Sequence, residues 1–185
     1  GKPRLVIASS MSVYGEGSRD HGVPEDWPRN PRSVYATTKN AAEEIAMQLA
    51  DYHGIEAVAL RYFNIYGPRQ TLSNPYTGLG AIFTRQIREG TRPTVFEDGQ
   101  QLRDFIHVSD VARATVAALD APAGEVYNIG TGVPTSVWDF ARMLLDANGK
   151  PWETPALTGQ TRKGDIRYCW ADTRKAKAMF DFEAE

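Results

Sequence analysis

Arg4-Leu5-Val6-Ile7-Ala8-Ser9-Ser10 opens as an apolar, β-branched run and closes on two small hydroxyl residues. That pattern predicts a parallel strand buried on both faces, with Ser9 and Ser10 at its carboxyl end. A turn-rich loop follows from Gly15 to Arg32, with three prolines and three glycines. Beyond it Ser33 is suited to cap a helix. Ala42, Ile45, Leu49 and Tyr52 recur at helical spacing, and His53-Gly54 supplies a stop. Glu56 to Tyr62 then reads as a second apolar strand, completing a strand-helix-strand unit of an α/β fold. Ligands of open α/β sheets bind outside the carboxyl ends of the strands, so the hydroxyl of Ser10 is expected to meet one.

The helix carries Tyr35-Ala36-Thr37-Thr38-Lys39 near its start. A tyrosine and a lysine four residues apart share one helix face, and a neighbouring ammonium favours the phenolate, the form that can act as a base. Tyr-x-x-x-Lys alone also arises by chance on amphipathic helices. Its position after a buried strand ending in serines is what points to chemistry.

Downstream the pattern loosens. Asn74 to Gly78 reads as a turn, Leu79 to Glu89 as a helix and Thr94 to Phe96 as a short strand. Phe105 to Val108 and a helix from Asp110 to Leu119 are candidates to return onto the first unit, whereas Val126 to Ile129 and a Ser136 to Asn148 helix are harder to place.

Composition narrows the classes. The 185 residues are 42% hydrophobic with a formal net charge of −2, and no apolar run approaches the roughly 18 residues of a membrane span. Basic residues alternate with acids, as in Arg85-Gln86-Ile87-Arg88-Glu89, which gives no stripe for nucleic acid. His21, His53, His107 and Cys169 lack metal-ligand spacing. A single cysteine and no visible targeting segment fit a cytoplasmic protein.

Several ordered blocks carry a resemblance: Ala8 to Gly15, Tyr35-x-x-x-Lys39, Arg61-Tyr62-Phe63-Asn64-Ile65-Tyr66-Gly67-Pro68-Arg69, Asp98-Gly99 through Arg103 to Asp110, Tyr127 to Gly132, and Arg162 to Ile166. Together they resemble the extended short-chain dehydrogenases/reductases, in the NAD-dependent nucleotide-sugar epimerase and dehydratase branch. The resemblance implies the C-terminal half of a Rossmann-like parallel-sheet domain over residues 1–67, with a possible return of 105–120. It further implies a smaller α/β substrate-binding domain over most of 68–185. Members of this family open with Gly-x-x-Gly-x-x-Gly, which this sequence lacks. The chain is therefore expected to be a fragment, with on the order of 100 residues preceding it, about half of a dinucleotide fold.

By the same resemblance, Ser10, Tyr35 and Lys39 are the catalytic residues. Ser9, Tyr35, Lys39 and Tyr62 would contact NAD. Ser10, Met11, Phe63, Asn64, Phe96, Arg103, Arg162 and Asp165 would contact a dTDP- or UDP-sugar, the arginines gripping its diphosphate and Asp165 its ribose. Plain alternatives stand beside these roles: a strand-end cap for Ser10, core packing for Phe63 and Phe96, and an ion pair, with Asp104 for instance, for Arg103. In the family's dehydratases an acid pair follows the active hydroxyl; here Met11 and Ser12 stand there, which favours 4-epimerisation of a dTDP-6-deoxyhexose or a UDP-hexose. A 4,6-dehydratase, a reductase and a non-catalytic truncated paralogue are the alternatives, and family members commonly form homodimers through the helix bearing the Tyr-Lys pair.

Overall fold

In a computed structural model, which describes residues 3–74, 77–161 and 164–185, β1 (Arg4–Ser10), α1 (Val34–Tyr52) and β2 (Glu56–Tyr62) form the strand-helix-strand unit. The two strands pair in parallel from Arg4↔Glu56 to Ser10↔Tyr62. This register brings the carboxyl ends of both to the same edge. A single 3-10 turn, Met11–Val13, continues directly from β1.

Among the described residues β2 is buried on both faces. Ala57 to Leu60 are 3% exposed or less, whereas Leu5 is 40% exposed and Ala8 lies at the surface. β2 is flanked on both sides, by β1 and by β7 (Glu125–Ile129), while β1 pairs on one side only.

Between β2 and β7 the chain forms β3 (Asn64–Tyr66), α2 (Leu79–Arg88), β4 (Thr94–Val95), β5 (Leu102–Arg103), β6 (Phe105–His107) and α3 (Val108–Ala117). After β7 come β8 (Thr135–Ser136), α4 (Val137–Ala147), β9 (Ala156–Leu157), β10 (Tyr168–Cys169) and α5 (Arg174–Phe180). β7 pairs in parallel with β2, Val58↔Glu125 through Tyr62↔Ile129, so the Val126–Ile129 stretch extends the first sheet. α3 covers that sheet: Val111, Ala114 and Ala118 share one core with Val58, Leu60, Ile106, Tyr127 and Ile129. A second core joins the strand ends, Val13, Tyr14, Val23 and Phe63 with Cys169 and Ala171. The third lies between α2 and α4, where Phe105 and Phe140 stack at 3.7 Å between ring centroids. Cys169 sits inside the second core, and burial pushes its thiol up to about 12.

β3 pairs in parallel with β6, Asn64↔Phe105 to Tyr66↔His107. Together with β5, set between β10 and β8, this carries the Arg103 segment past the end of β2. No helix among the described residues is long and apolar enough to cross a membrane.

Candidate active site

The Ser33 side chain accepts from the Ala36 backbone N–H at 3.1 Å and starts α1. The cap fixes the first helical turn, which carries Tyr35, 57% exposed. One turn on, Lys39 Nζ donates to the Ala8 carbonyl at 3.0 Å and lies 6.0 Å from the centre of the Tyr35 ring. The ammonium therefore ties α1 to the carboxyl end of β1 while flanking the phenol. Two residues beyond Ala8, the Ser10 hydroxyl accepts from the Ser12 N–H at 3.2 Å. This is the strand-end cap that the sequence allowed. It uses a lone pair and leaves the Ser10 hydroxyl proton available to a ligand.

A second turn along the same face, Glu43 is 1% exposed. Its carboxylate accepts from Ser9 Oγ at 2.5 Å and from Arg61 Nε and Nη2 at 3.0 and 2.6 Å, and it pairs with Arg29 at 2.9 Å. Arg61 Nη1 donates to the Tyr14 hydroxyl and to the Glu25 carbonyl, both at 2.8 Å. Tyr14 donates in turn to Asn128 Oδ1 at 2.6 Å, and Asn128 Nδ2 donates to the Val23 carbonyl at 2.8 Å. Two guanidiniums and the Ser9 hydroxyl hold the Glu43 carboxyl below its ordinary range against the cost of burial. Burial raises the Tyr14 phenol, although Arg61 opposes it. The network clamps β1, α1, β2 and β7 together directly behind Ser10.

Its consequence for Ser9 is specific. The Ser9 hydroxyl points inward to Glu43 and the residue is 4% exposed, so its side chain braces the site from behind. Tyr62 likewise turns to the core side, its hydroxyl 2.8 Å from Thr115 Oγ1 on α3. Phe63 is 4% exposed and packs with Val13, Tyr14 and Val23, the arrangement expected of a core residue. Met11 packs against the same cluster. The Asn64 backbone N–H donates to the Asp104 carbonyl at 2.9 Å, while Asn64 Oδ1 is buried without a partner.

A separate cavity of about 180 Å³ gathers Phe96, Arg103 and Asp165 with apolar walls from Ile82, Phe83 and Val137. Arg103 is 5% exposed and pairs with Asp165, not with Asp104: Nη2 donates to Asp165 Oδ1 at 2.8 Å and to the Ile166 carbonyl at 2.5 Å. Asp104 instead accepts from Thr131 N and Oγ1, Gly132 N and Ala171 N at 2.8–3.2 Å. Burial pushes its carboxyl up while those donors pull it down. Gly130 approaches this carboxylate so closely that an added Cβ would sit 2.6 Å from Asp104 Oδ2. Arg162 lies outside the described residues.

Sequence reading missed the Glu43–Arg61–Tyr14–Asn128 network. Its members are scattered over 114 residues between Tyr14 and Asn128, and no local spacing announces them. It also passed over Gln101, which lines the second cavity and lies inside a recognised block without a motif role. For the cofactor, the donor set at the end of β1 is a phenol, an ammonium and a free hydroxyl proton. That set suits ribose hydroxyls and a carbonyl being reduced; a glycine-rich pyrophosphate loop is not in the sequence.

Residues 1–130 match the profile of the NAD dependent epimerase/dehydratase family. The chain is 38% identical to a dTDP-L-rhamnose 4-epimerase of Burkholderia thailandensis, over 98% of this chain and 58% of that protein. Among solved structures, a UDP-glucose 4-epimerase from Thermotoga maritima with UDP-glucose superposes with a TM-score of 0.90 at 33% identity, covering 98% of this chain and 58% of that one. A dTDP-glucose 4,6-dehydratase from Streptomyces venezuelae, solved with NAD bound, gives 0.87 at 26% identity, covering 98% and 55%. The chain thus spans somewhat over half the length of the proteins it matches.

Proposed function

The chain belongs to the NAD-dependent epimerase/dehydratase family, and from that premise we propose that its protein epimerises C4 of a nucleotide-diphosphate sugar through a transient 4-keto sugar. NAD, when bound, supplies the two-electron redox capacity of this reaction. Every proton is handled by the chain's own residues. The Tyr35 phenolate takes the proton from the sugar O4 as C4 is oxidised. Ser10 donates its free hydroxyl proton as a hydrogen bond to the same oxygen and holds it in the plane of the forming carbonyl. Lys39 holds its ammonium beside the Tyr35 ring and fixes α1 against β1. After the keto sugar turns its other face, Tyr35 returns the proton to O4 and the opposite configuration results.

The observation that carries this reading is the Lys39–Ala8 contact, which locks the Tyr35-bearing turn to the strand end that presents Ser10. Residues 1–67, with 105–120 packed on them, serve the cofactor side; most of 68–185 serves the nucleotide sugar. Arg103 and Arg162 are assigned to the diphosphate, for which a planar guanidinium fork is suited, and Phe96, Asn64 and Asp165 to the remainder of the nucleotide. Met11 and Ser12 offer no acid for eliminating water, which favours epimerisation over 4,6-dehydration. Similarity to dTDP-L-rhamnose and UDP-glucose 4-epimerases supports a dTDP-6-deoxyhexose or a UDP-hexose as substrate.

The test uses the natural full-length protein. Incubated with dTDP-L-rhamnose or UDP-glucose, it should yield the C4 epimer by NMR, and Tyr35→Phe should cut turnover by about 10²–10⁴-fold while leaving nucleotide-sugar binding nearly intact. Undiminished turnover in the variant, a dehydrated 4-keto-6-deoxy product, or no reaction at all would each refute the assignment.

A further inference from the structure

Beside the loop that follows β1 lies a cavity of about 550 Å³ to which no role has been given. Asp20, His21, Trp27, Trp170, Asp172 and Arg174 line it, and it shares no residue with the Arg103 cavity. Both tryptophans are half-buried and anchored by their edges. Trp27 Nε1 donates to the Glu16 carbonyl and Trp170 Nε1 to the Ser18 carbonyl, each at 3.1 Å. With the single polar atom of each indole so engaged, what the rings have left for a ligand is their π-faces.

The walls are fixed by backbone. Val23 and Ala171 form a parallel bridge, in which the Val23 N–H donates to the Trp170 carbonyl at 2.8 Å and the Asp172 N–H to the Val23 carbonyl at 3.0 Å. Gly22 permits this approach: an added Cβ would stand 2.4 Å from the Ala171 carbonyl oxygen. Trp27 also packs on the second core, and the His21 ring meets it in a T-shaped contact with centroids 5.6 Å apart. The aromatic walls are thus in place before a ligand arrives, which lowers the ordering cost of binding.

The rim restricts the ligand by charge. Arg174 Nε and Nη2 donate to the Asp172 carboxylate at 2.9 and 2.6 Å, so this pair is neutral and gives an anion no free guanidinium. The same guanidinium opposes a cation seated on the rings. Asp20 and His21 remain to hydrogen-bond hydroxyls. A pyranose matches this pattern: its C–H face carries slight positive charge suited to the negative face of an indole, and its hydroxyls project toward the rim. We infer that this cavity is a second carbohydrate site, which takes an uncharged pyranose apart from the place where Ser10 and Tyr35 stand.

Heteronuclear NMR of the full-length protein tests it, with the indole N–H signals assigned by single Trp→Phe replacements and methyl β-D-glucopyranoside and methyl β-D-galactopyranoside as probes. At least one glycoside is expected to shift the Trp27 and Trp170 signals together and saturably, while the signal of Trp152, 76% exposed and outside the cavity, stays in place. Trp27→Leu should weaken that glycoside about 10-fold, read at Trp170, because one stacked ring is lost. No saturable shift with either glycoside in the unmutated protein overturns the inference without recourse to a variant. So does an equal shift at Trp152, or unchanged affinity in Trp27→Leu. Shifts produced by tetramethylammonium chloride and by neither glycoside would overturn it in favour of a cation site. None of these readings involves a nucleotide, so their failure is distinct from failure of the epimerase reading.

Discussion

Glu43 illustrates how a single residue behind the site governs those in front of it. Its carboxylate is wholly buried, yet each oxygen accepts two donors, from Ser9, Arg61 and Arg29. Removing one partner of a buried pair leaves the other charge uncompensated, so Glu43→Gln is expected to lower the unfolding free energy of the full-length protein by about 3–5 kcal/mol in urea melts. The pH dependence has a definite sign. Because the folded-state pKa of Glu43 is depressed, its contribution is present above the unfolded glutamate value of about 4.3 and is lost as pH falls through the folded value. The gap between native and variant stabilities should therefore close on acidification below about pH 4, and a gap independent of pH would contradict the ionised pair.

Helix α1 integrates these side chains along one stripe. Tyr35, Lys39 and Glu43 follow one another at intervals of four, so the phenol, the ammonium beside it and the anchor to Ser9 and Arg61 share a single face. The register of that face begins at Ser33, whose side chain supplies the N-cap. Ser33→Ala should cost about 1 kcal/mol in the same urea melts. It should also lower kcat more than it raises KM, because it loosens the turn that carries Tyr35 while leaving the Arg103 cavity untouched. A substitution with equal effects on both parameters, or with neither, would separate the cap from the chemistry.

At the scale of the whole molecule, α1 divides its sides unusually. Ala36, Glu43 and Ala50 face the sheet, while Ile45, Leu49 and Tyr52 are 57%, 53% and 84% exposed. Ala42, Ile45, Leu49 and Tyr52 thus make an apolar seam with the three- and four-residue spacing that packs against another helix. Were the full-length protein to pair with a second copy, this seam is the expected contact. Leu49→Asp is expected to shift sedimentation from dimer to monomer, while a mixture of wild-type and variant behaviour identical to wild type would leave α1 out of the interface.

Much of this was legible from residue order because it is encoded locally. The strand-helix-strand unit, the Ser33 cap, the His53-Gly54 stop and the bounds of β2 and α2 depend on periodicity and on caps, which act over a few residues. The pairing of Tyr35 with Lys39 on one helix face follows from the same short-range rule. Tertiary structure decided what depends on partners distant in the chain: that β7 joins the first sheet, and that Arg103 pairs with Asp165 while Asp104 binds the 131–132 and 171 backbone. It decided also that Ser9 turns inward and that one oxygen of Gln101 stays unpaired. The physical reason is that burial and hydrogen-bond satisfaction belong to the assembled chain, since an acceptor is free or engaged only once every neighbouring segment has taken its place.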